Sequence, residues 1–180
     1  MKQFVTLFLA LFTYTASSQD YFWVGGSGDW SDFANHWATS SGGSTFHTVA
    51  PTSSDNVYFD INSFSSTSQV VTLDIVADCH SMDWTGVLNF PSIDGNGNAM
   101  NIYGSLTLAA DMTADFANVE FESSTSGNSI TTNGTSLGTS SCTRLNGVGG
   151  EWALQDNLVT STLYCTAGTL TTNNHDINSG

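Results

Sequence analysis

The sequence predicts an all-β protein, a right-handed parallel β-helix (a solenoid) whose N-terminal end is closed by a cap rich in tryptophan and glycine. Three observations support this fold class. Short segments of alternating apolar and polar residues follow turn glycines that recur with a regular spacing. The helix-forming residues Lys, Arg and Glu are scarce. A block with three tryptophans precedes the repeat.

The repeat is anchored on turn glycines, and we expect a strand directly after each of them. These glycines are Gly86, Gly104, Gly127, Gly150 and Gly168. Of the four intervals between successive glycines, the two inner ones are equal and slightly longer than the two outer ones. An apolar residue follows each glycine by two or three positions. We expect these residues to stack as one interior column: Leu88, Leu106, Ile130, Trp152 and Leu170. A β-sandwich with evenly spaced hairpins is the alternative fold.

The pattern divides the chain into three segments. Residues 1–18 are typical of a signal peptide, since Lys2 precedes an apolar stretch and the small residues at 16–18. Residues 19–68 should form the aromatic cap and the opening strands, and residues 69–180 the solenoid coils. The repeat predicts that the last coil is incomplete, so we expect further coils or self-association at the C-terminal end. No later segment has the ~20 consecutive apolar residues of a transmembrane helix.

The cap segment contains three tryptophans at intervals of one heptad: Trp23, Trp30 and Trp37. Such spacing often indicates a helix, but three glycines lie within the block and each costs roughly 1 kcal/mol in a helix interior. We therefore expect turns and short strands whose indoles close over the apolar end of the solenoid. The alternative is a carbohydrate-binding module, in which these three rings are exposed and bind a neutral glycan.

The charge of the chain limits its partners. It has 16 acidic residues against two basic ones, for a net charge of −14, and Arg144 is the only basic residue outside the predicted signal peptide apart from histidines. Nucleic-acid binding rests on Lys and Arg contacts with phosphates, so nucleic acid is not an expected partner. The expected partners are surfaces, glycans and other extracellular proteins.

Four aspartates near the cap are the candidate metal ligands, and calcium is the one cofactor that the pattern admits. These residues are Asp29, Asp32, Asp55 and Asp60. Aspartate is also common in turns, and without calcium no cofactor is expected.

The cysteines allow one disulfide. Cys142 and Cys165 are separated by the same interval as Gly127 and Gly150, which would place them on neighbouring coils. Cys79 would then be a small buried hydrophobic residue.

No catalytic motif stands out. The sequence lacks a G-x-S-x-G elbow and an H-E-x-x-H zinc pair. A β-helix enzyme that degrades an acidic polysaccharide would need cations at the substrate, and Arg144 alone offers little. We predict a protein that is not an enzyme and keep a polysaccharide-degrading enzyme as the less favoured alternative.

Several motifs resemble the N-terminal region of large secreted, adhesin-like β-solenoid surface proteins of gliding Gram-negative bacteria. They are WVGGSGDW at 23–30, SDNVYFD at 54–60, DWTG at 83–86, NIYGSL at 101–106 and GVGGEW at 147–152. The resemblance implies export by type IX secretion, a place outside the cell or on its surface, and a role in adhesion. The expected function is that of a secreted, non-catalytic structural protein.

Overall fold

Short strands stacked in coils make up nearly all of the regular structure. The computed structural model describes residues 17–138 and 142–179, so most of the predicted signal peptide, residues 1–16, lies outside the described residues. Within the described ranges there is one helical turn, α1 (Phe33–His36), and no helix is long and apolar enough to cross a membrane. The strands are β1 (Asp20–Trp23), β2 (Gly28–Asp29), β3 (Trp37–Ala38), β4 (Asn56–Tyr58), β5 (Val70–Thr72), β6 (Ala77–Cys79), β7 (Met82–Asp83), β8 (Ser92–Asp94), β9 (Ala99–Ile102), β10 (Leu106–Thr107), β11 (Thr113–Asp115), β12 (Asn118–Phe121), β13 (Asn128–Thr131), β14 (Cys142–Leu145), β15 (Glu151–Leu154), β16 (Leu158–Thr160), β17 (Thr162–Cys165), β18 (Thr169–Thr171) and β19 (Ile177–Ser179).

The strands form three faces, because from β4 onward consecutive strands lie on different faces before the chain returns to the first. Face 1 has the order β18-β15-β13-β10-β7-β4-β1-β3, face 2 the order β11-β8-β5-β2, and face 3 the order β17-β14-β12-β9-β6. β16 pairs with β19 between face 1 and face 3 of the last coils. Among these strands every pairing is parallel except that of β1 with β3. This confirms the predicted β-solenoid and excludes the sandwich, whose sheets are antiparallel.

One column of apolar side chains runs along the interior of face 1. Val57, Met82, Leu106, Ile130 and Leu154 share one register position on neighbouring strands, and the interval between them is constant from Met82 onward. Each is at most 1% exposed. Burial of one such side chain contributes about 1.5–3 kcal/mol, so the column is a major source of stability for the stack.

The predicted residues form two register pairs, as expected, but these pairs lie in different columns and Leu88 joins neither. Leu106 and Ile130 are register partners, as expected. Trp152 is buried one column away, where its partner on the next strand is Leu170. Leu88 lies in a turn and is 50% exposed. The reason is that the glycines lie in corners of different lengths, so the distance from a glycine does not fix the register.

The cap segment is part of the stack. β1 pairs in parallel with β4, and β2 pairs in parallel with β5, so coils already form within the predicted cap segment, residues 19–68. The cap rings belong to the same hydrophobic core as the solenoid interior.

Candidate functional site

The aromatic cap is a closed cluster of rings centred on Trp37. β1 places Trp23 beside it, since the two are partners in the antiparallel pairing of β1 with β3. Trp37 meets Trp23 and Trp30 edge-on, with ring centroids 4.9 and 4.8 Å away, and Phe59 lies at 5.6 Å. The Nε1 of Trp37 donates a hydrogen bond to the backbone oxygen of Trp30 at 2.9 Å, and that of Trp23 to Gly26 at 2.7 Å. The buried Nε1 of Trp30 has no hydrogen-bond partner among the described residues, so the edge-to-face packing of the rings, and not a complete set of indole hydrogen bonds, holds the cluster together.

The cap tryptophans present no ring face to a ligand. Trp23, Trp30 and Trp37 are each 0% exposed. The hypothesis that they bind a glycan required rings open to solvent, so the structure corrects it. The chain turns sharply after β1, because Gly25 and Gly26 both have positive φ, and the rings meet one another instead of solvent.

The four candidate metal ligands do not gather into one site. Asp55 accepts two backbone N–H groups and a hydroxyl, Asp32 accepts a neighbouring amide, and Asp60 accepts a backbone N–H within its own turn. Asp29 lies in β2 on face 2. In residues 17–138 and 142–179, no group of three or more His, Cys, Asp or Glu side chains could hold a metal ion. The calcium prediction therefore has no ligand cluster to support it.

Cys142 and Cys165 are free thiols in the structure. They lie on neighbouring strands, but the register pairs Cys142 with Thr162 and Cys165 with Leu145. An offset of three residues along the strand is about 10 Å, whereas a disulfide needs Cα atoms within about 7 Å. The prediction failed because this coil is shorter than the interval between the two cysteines, so the chain returns to the position beside Cys142 already at Thr162. Cys79 is fully buried, as expected.

Arg144, the one arginine of the chain, forms an ion pair on the outer side of face 3. Arg144 Nη1 lies 2.5 Å from Glu120 Oε1, and its guanidinium carbon lies 5.7 Å from the ring centroid of Tyr164. One coil from Glu120, Asn101 donates a hydrogen bond to Asp78 at 3.0 Å. The described ranges contain no other Lys or Arg. In this part of the chain the one guanidinium is therefore already held by a carboxylate.

A different surface is uncharged, and the sequence pattern did not single it out. Segments 61–69 and 84–91 lie in the connections from face 1 to face 2 of consecutive coils and contain no acidic or basic side chain. Asp60 directly precedes the first segment and Asp83 the second. They are joined by two hydrogen bonds, from Asn89 Nδ2 to the Phe64 oxygen at 2.6 Å and from the Ser68 nitrogen to the Asn89 oxygen at 3.0 Å. We call these two segments the uncharged corner. The sequence pattern contains no indication of this corner, because Asn89-Phe90 is not a recognised turn pair.

Two cavities open on the surface of the described residues. A cavity of about 430 Å³ in the last coils is lined by residues that are neither acidic nor basic: Ser136, Gly138, Val159, Thr160, Ser161, Ile177, Asn178 and Ser179. A smaller one of about 240 Å³ lies beside Asp94 and Asp115, which are register partners on face 2. The lining of the first cavity has no titratable side chain, and that of the second has these two carboxylates.

Comparison with known proteins adds no relative to this description. No protein family matches the chain, and neither the curated proteins nor the solved structures contain a significant match. The interpretation of these surfaces therefore depends on their own geometry and chemistry.

Proposed function

We infer that the protein is a secreted, non-catalytic, adhesin-like protein of the cell surface, whose solenoid presents a rigid side for contact with surfaces, glycans or other extracellular proteins. The observation that carries this proposal is the division of residue types between inside and outside. The five tryptophans are buried, and the outer positions of the strands are mostly hydroxyl, amide and carboxylate side chains. Solenoid proteins use regular polar surfaces of this kind, built on a stacked core, as extended binding surfaces.

Export is supported by the sequence at the start of the chain and by its charge. The predicted signal peptide, residues 1–18, would direct the chain out of the cytoplasm. A net charge of −14 favours solubility and discourages non-specific association in solution. Type IX export in a gliding bacterium remains part of this proposal, on the motif resemblance alone.

The C-terminal coil supports a further part of the proposal. Among the described strands, β17, β18 and β19 each have a strand partner on one side only. The apolar side chains of Leu163, Leu170 and Ile177 are only partly covered there. An open strand edge accepts another strand, so we place contact with further coils or with a second copy at this end.

Protease treatment of intact producing cells tests the surface location. An outward-facing protein is degraded while a cytoplasmic marker survives, and protein shed into the medium is detected by immunoblotting. Protection of the protein in intact cells, with degradation only after lysis, would contradict the proposal.

Incubation with polysaccharides tests the absence of catalysis and the enzyme alternative. The purified full chain should release no reducing ends and no unsaturated sugars from neutral or acidic polysaccharides. Steady release that scales with protein concentration would favour the enzyme instead.

A further inference from the structure

The corners of the solenoid use two-residue turns in which both residues have positive φ. The described residues contain five such pairs: Gly25-Gly26, Asn89-Phe90, Asn96-Gly97, Asn133-Gly134 and Asn173-Asn174. Glycine has no Cβ to clash in this conformation, and asparagine tolerates it better than other residues do. Phe90 is therefore the exception among the ten positions.

Three of these pairs share one side-chain hydrogen bond. The backbone bond that closes two of them, from Thr135 to Thr132 and from His175 to Thr172, cannot form around Asn89-Phe90, because the next residue is proline and has no N–H. Asn89, Asn133 and Asn173 each donate from Nδ2 to a backbone oxygen of the preceding coil, at 2.6, 2.7 and 2.9 Å. The next residue is Gly134 in one turn and Asn174 in another. In the turn of Asn89 it is Phe90, with φ at 50°. A bulky residue in the left-handed region is a conformational outlier.

Phe90 gains no burial in return for this backbone strain. Its side chain is 64% exposed, and Leu88, two residues earlier in the same turn, is 50% exposed. The turn is held on both sides, because Ser68 donates to the Asn89 oxygen at 3.0 Å and Thr113 donates to the Pro91 oxygen at 3.1 Å. Strained residues that the surrounding structure holds in place are concentrated at functional sites. The phenyl ring therefore projects from a fixed turn without serving the core.

The two segments of the uncharged corner carry apolar and hydroxyl side chains. Ile61 is 62% exposed in the neighbouring segment of the uncharged corner, and residues 65–68 form a run of four exposed Ser and Thr side chains. A cationic partner would be attracted to the acidic faces of the chain instead. A stable protein interface buries about 800 Å² on each side around an apolar centre, which a few separate apolar side chains among hydroxyls do not supply.

We propose that the uncharged corner binds a neutral carbohydrate, with the phenyl ring of Phe90 and the side chain of Leu88 against the apolar face of a sugar ring. A flat ring can pack against sugar C–H groups, while Ser and Thr hydroxyls can donate to and accept from sugar hydroxyls. This site deepens the proposed surface function by naming a ligand class, and it depends on that function for its context.

The test compares the full chain with Phe90→Asn and Phe90→Gly, the residues that follow asparagine in the pairs Asn173-Asn174 and Asn133-Gly134. Val148→Asn is the control, because Val148 is 80% exposed in a different turn. Binding is measured on an array of neutral oligosaccharides and then by calorimetry, since the buried tryptophans make intrinsic fluorescence a poor reporter. We expect both Phe90 variants to lose at least tenfold in affinity and Val148→Asn to bind like the wild type. The Tm of Phe90→Asn should equal or exceed that of the wild type.

Three results would overturn the proposal. They are the absence of wild-type binding to any neutral glycan, equal binding by Phe90→Asn, or Phe90-dependent binding to a protein but to no glycan. A fall in the Tm of Phe90→Asn would also remove its basis, because the ring would then serve the fold. Failure of the surface function is distinguishable, since protease protection on intact cells does not depend on Phe90.

Discussion

His36 stacks on Trp23 inside the aromatic cap, with ring centroids 4.5 Å apart and ring planes 9° apart. The imidazole Nδ1 also lies 2.7 Å from the backbone oxygen of Val24, so both the face and the edge of the ring are engaged. The other ring nitrogen lies against Gly28, where a Cβ would overlap it. The single helical turn of the described chain thus holds a buried histidine in a fixed place.

Gly28→Ala should destabilise the cap by about 1–3 kcal/mol, the usual cost of overpacking a core. The strain is steric, because the new methyl group meets His36 Nε2 and the ring is held by Trp23. Urea unfolding followed by circular dichroism measures the change. In the background of His36→Ala the same substitution should cost less, since the clashing ring is gone. Equal costs in the two backgrounds would show that the imidazole is not the obstacle.

Leu106→Ala and Leu88→Ala should differ sharply although both remove the same atoms. Leu106 lies in the interior column at 0% exposure, so its truncation should lower the free energy of unfolding by about 2–5 kcal/mol. Leu88 lies half-exposed in a turn, and its truncation should change stability by less than about 0.5 kcal/mol. Denaturant titration of both variants gives the comparison. Similar losses would place the two leucines in equivalent positions, as the glycine spacing alone suggested.

Stability should fall at alkaline pH through Tyr21. Burial, aided by the charge of Asp55, raises the pKa of Tyr21 to about 12 from its ordinary 10. The folded state therefore favours the protonated phenol, and this contribution is complete below pH 10 and lost as pH rises from 10 to 12. The free energy of unfolding of the wild type should decline more steeply across that window than that of Tyr21→Phe. Parallel declines would mean that the phenol ionises as easily in the folded state as in the unfolded one.

The three cysteines should react in an order set by their exposure. Cys165 is exposed, Cys142 is half-buried and Cys79 is buried. Burial, with a smaller effect of Asp78, also raises the pKa of the Cys79 thiol well above its usual range. N-ethylmaleimide should label Cys165 first and Cys79 only after unfolding. Peptide mapping without reductant should show no bond between Cys142 and Cys165, and finding one would contradict the register of β14 and β17.

The repeat revealed the solenoid but not its register. Turn glycines and alternating residues indicated stacked strands, and that part is confirmed. Which side chains stack depends on the number of residues in each corner, which the contacts between coils determine. For this reason Ile130 faces Leu154 instead of the expected Trp152, and Cys165 does not reach Cys142.

The candidate sites were harder to predict than the fold. The spacing of Trp23, Trp30 and Trp37 indicated a cap, but whether their rings face solvent depends on the sharp turn at Gly25 and on contacts with later strands. Phe90 does not stand out in the sequence, because an Asn-Phe pair has no turn preference of its own. Phe90 became a candidate only because its φ is positive, a conformation that Gly or Asn adopts in the other four pairs.

The central claim is that consecutive coils stack in parallel and in register, and paired cysteines on the outer side of face 1 test it most directly. Thr107 and Thr131 are register partners on β10 and β13. Their Cα atoms should be about 4.8 Å apart, within the range of a disulfide. Ser129 lies on the same outer side, two residues along β13, about 8 Å from Thr107 and beyond that range.

In a background with Cys142 and Cys165 replaced by serine, Thr107→Cys/Thr131→Cys should therefore oxidise to an internal disulfide while Thr107→Cys/Ser129→Cys should not. The measurement is the mass and mobility of each variant after mild oxidation without reductant. Bonding in the first pair alone is the predicted result. Failure of the first pair, or preferential bonding of the second, would contradict the stacked-coil structure.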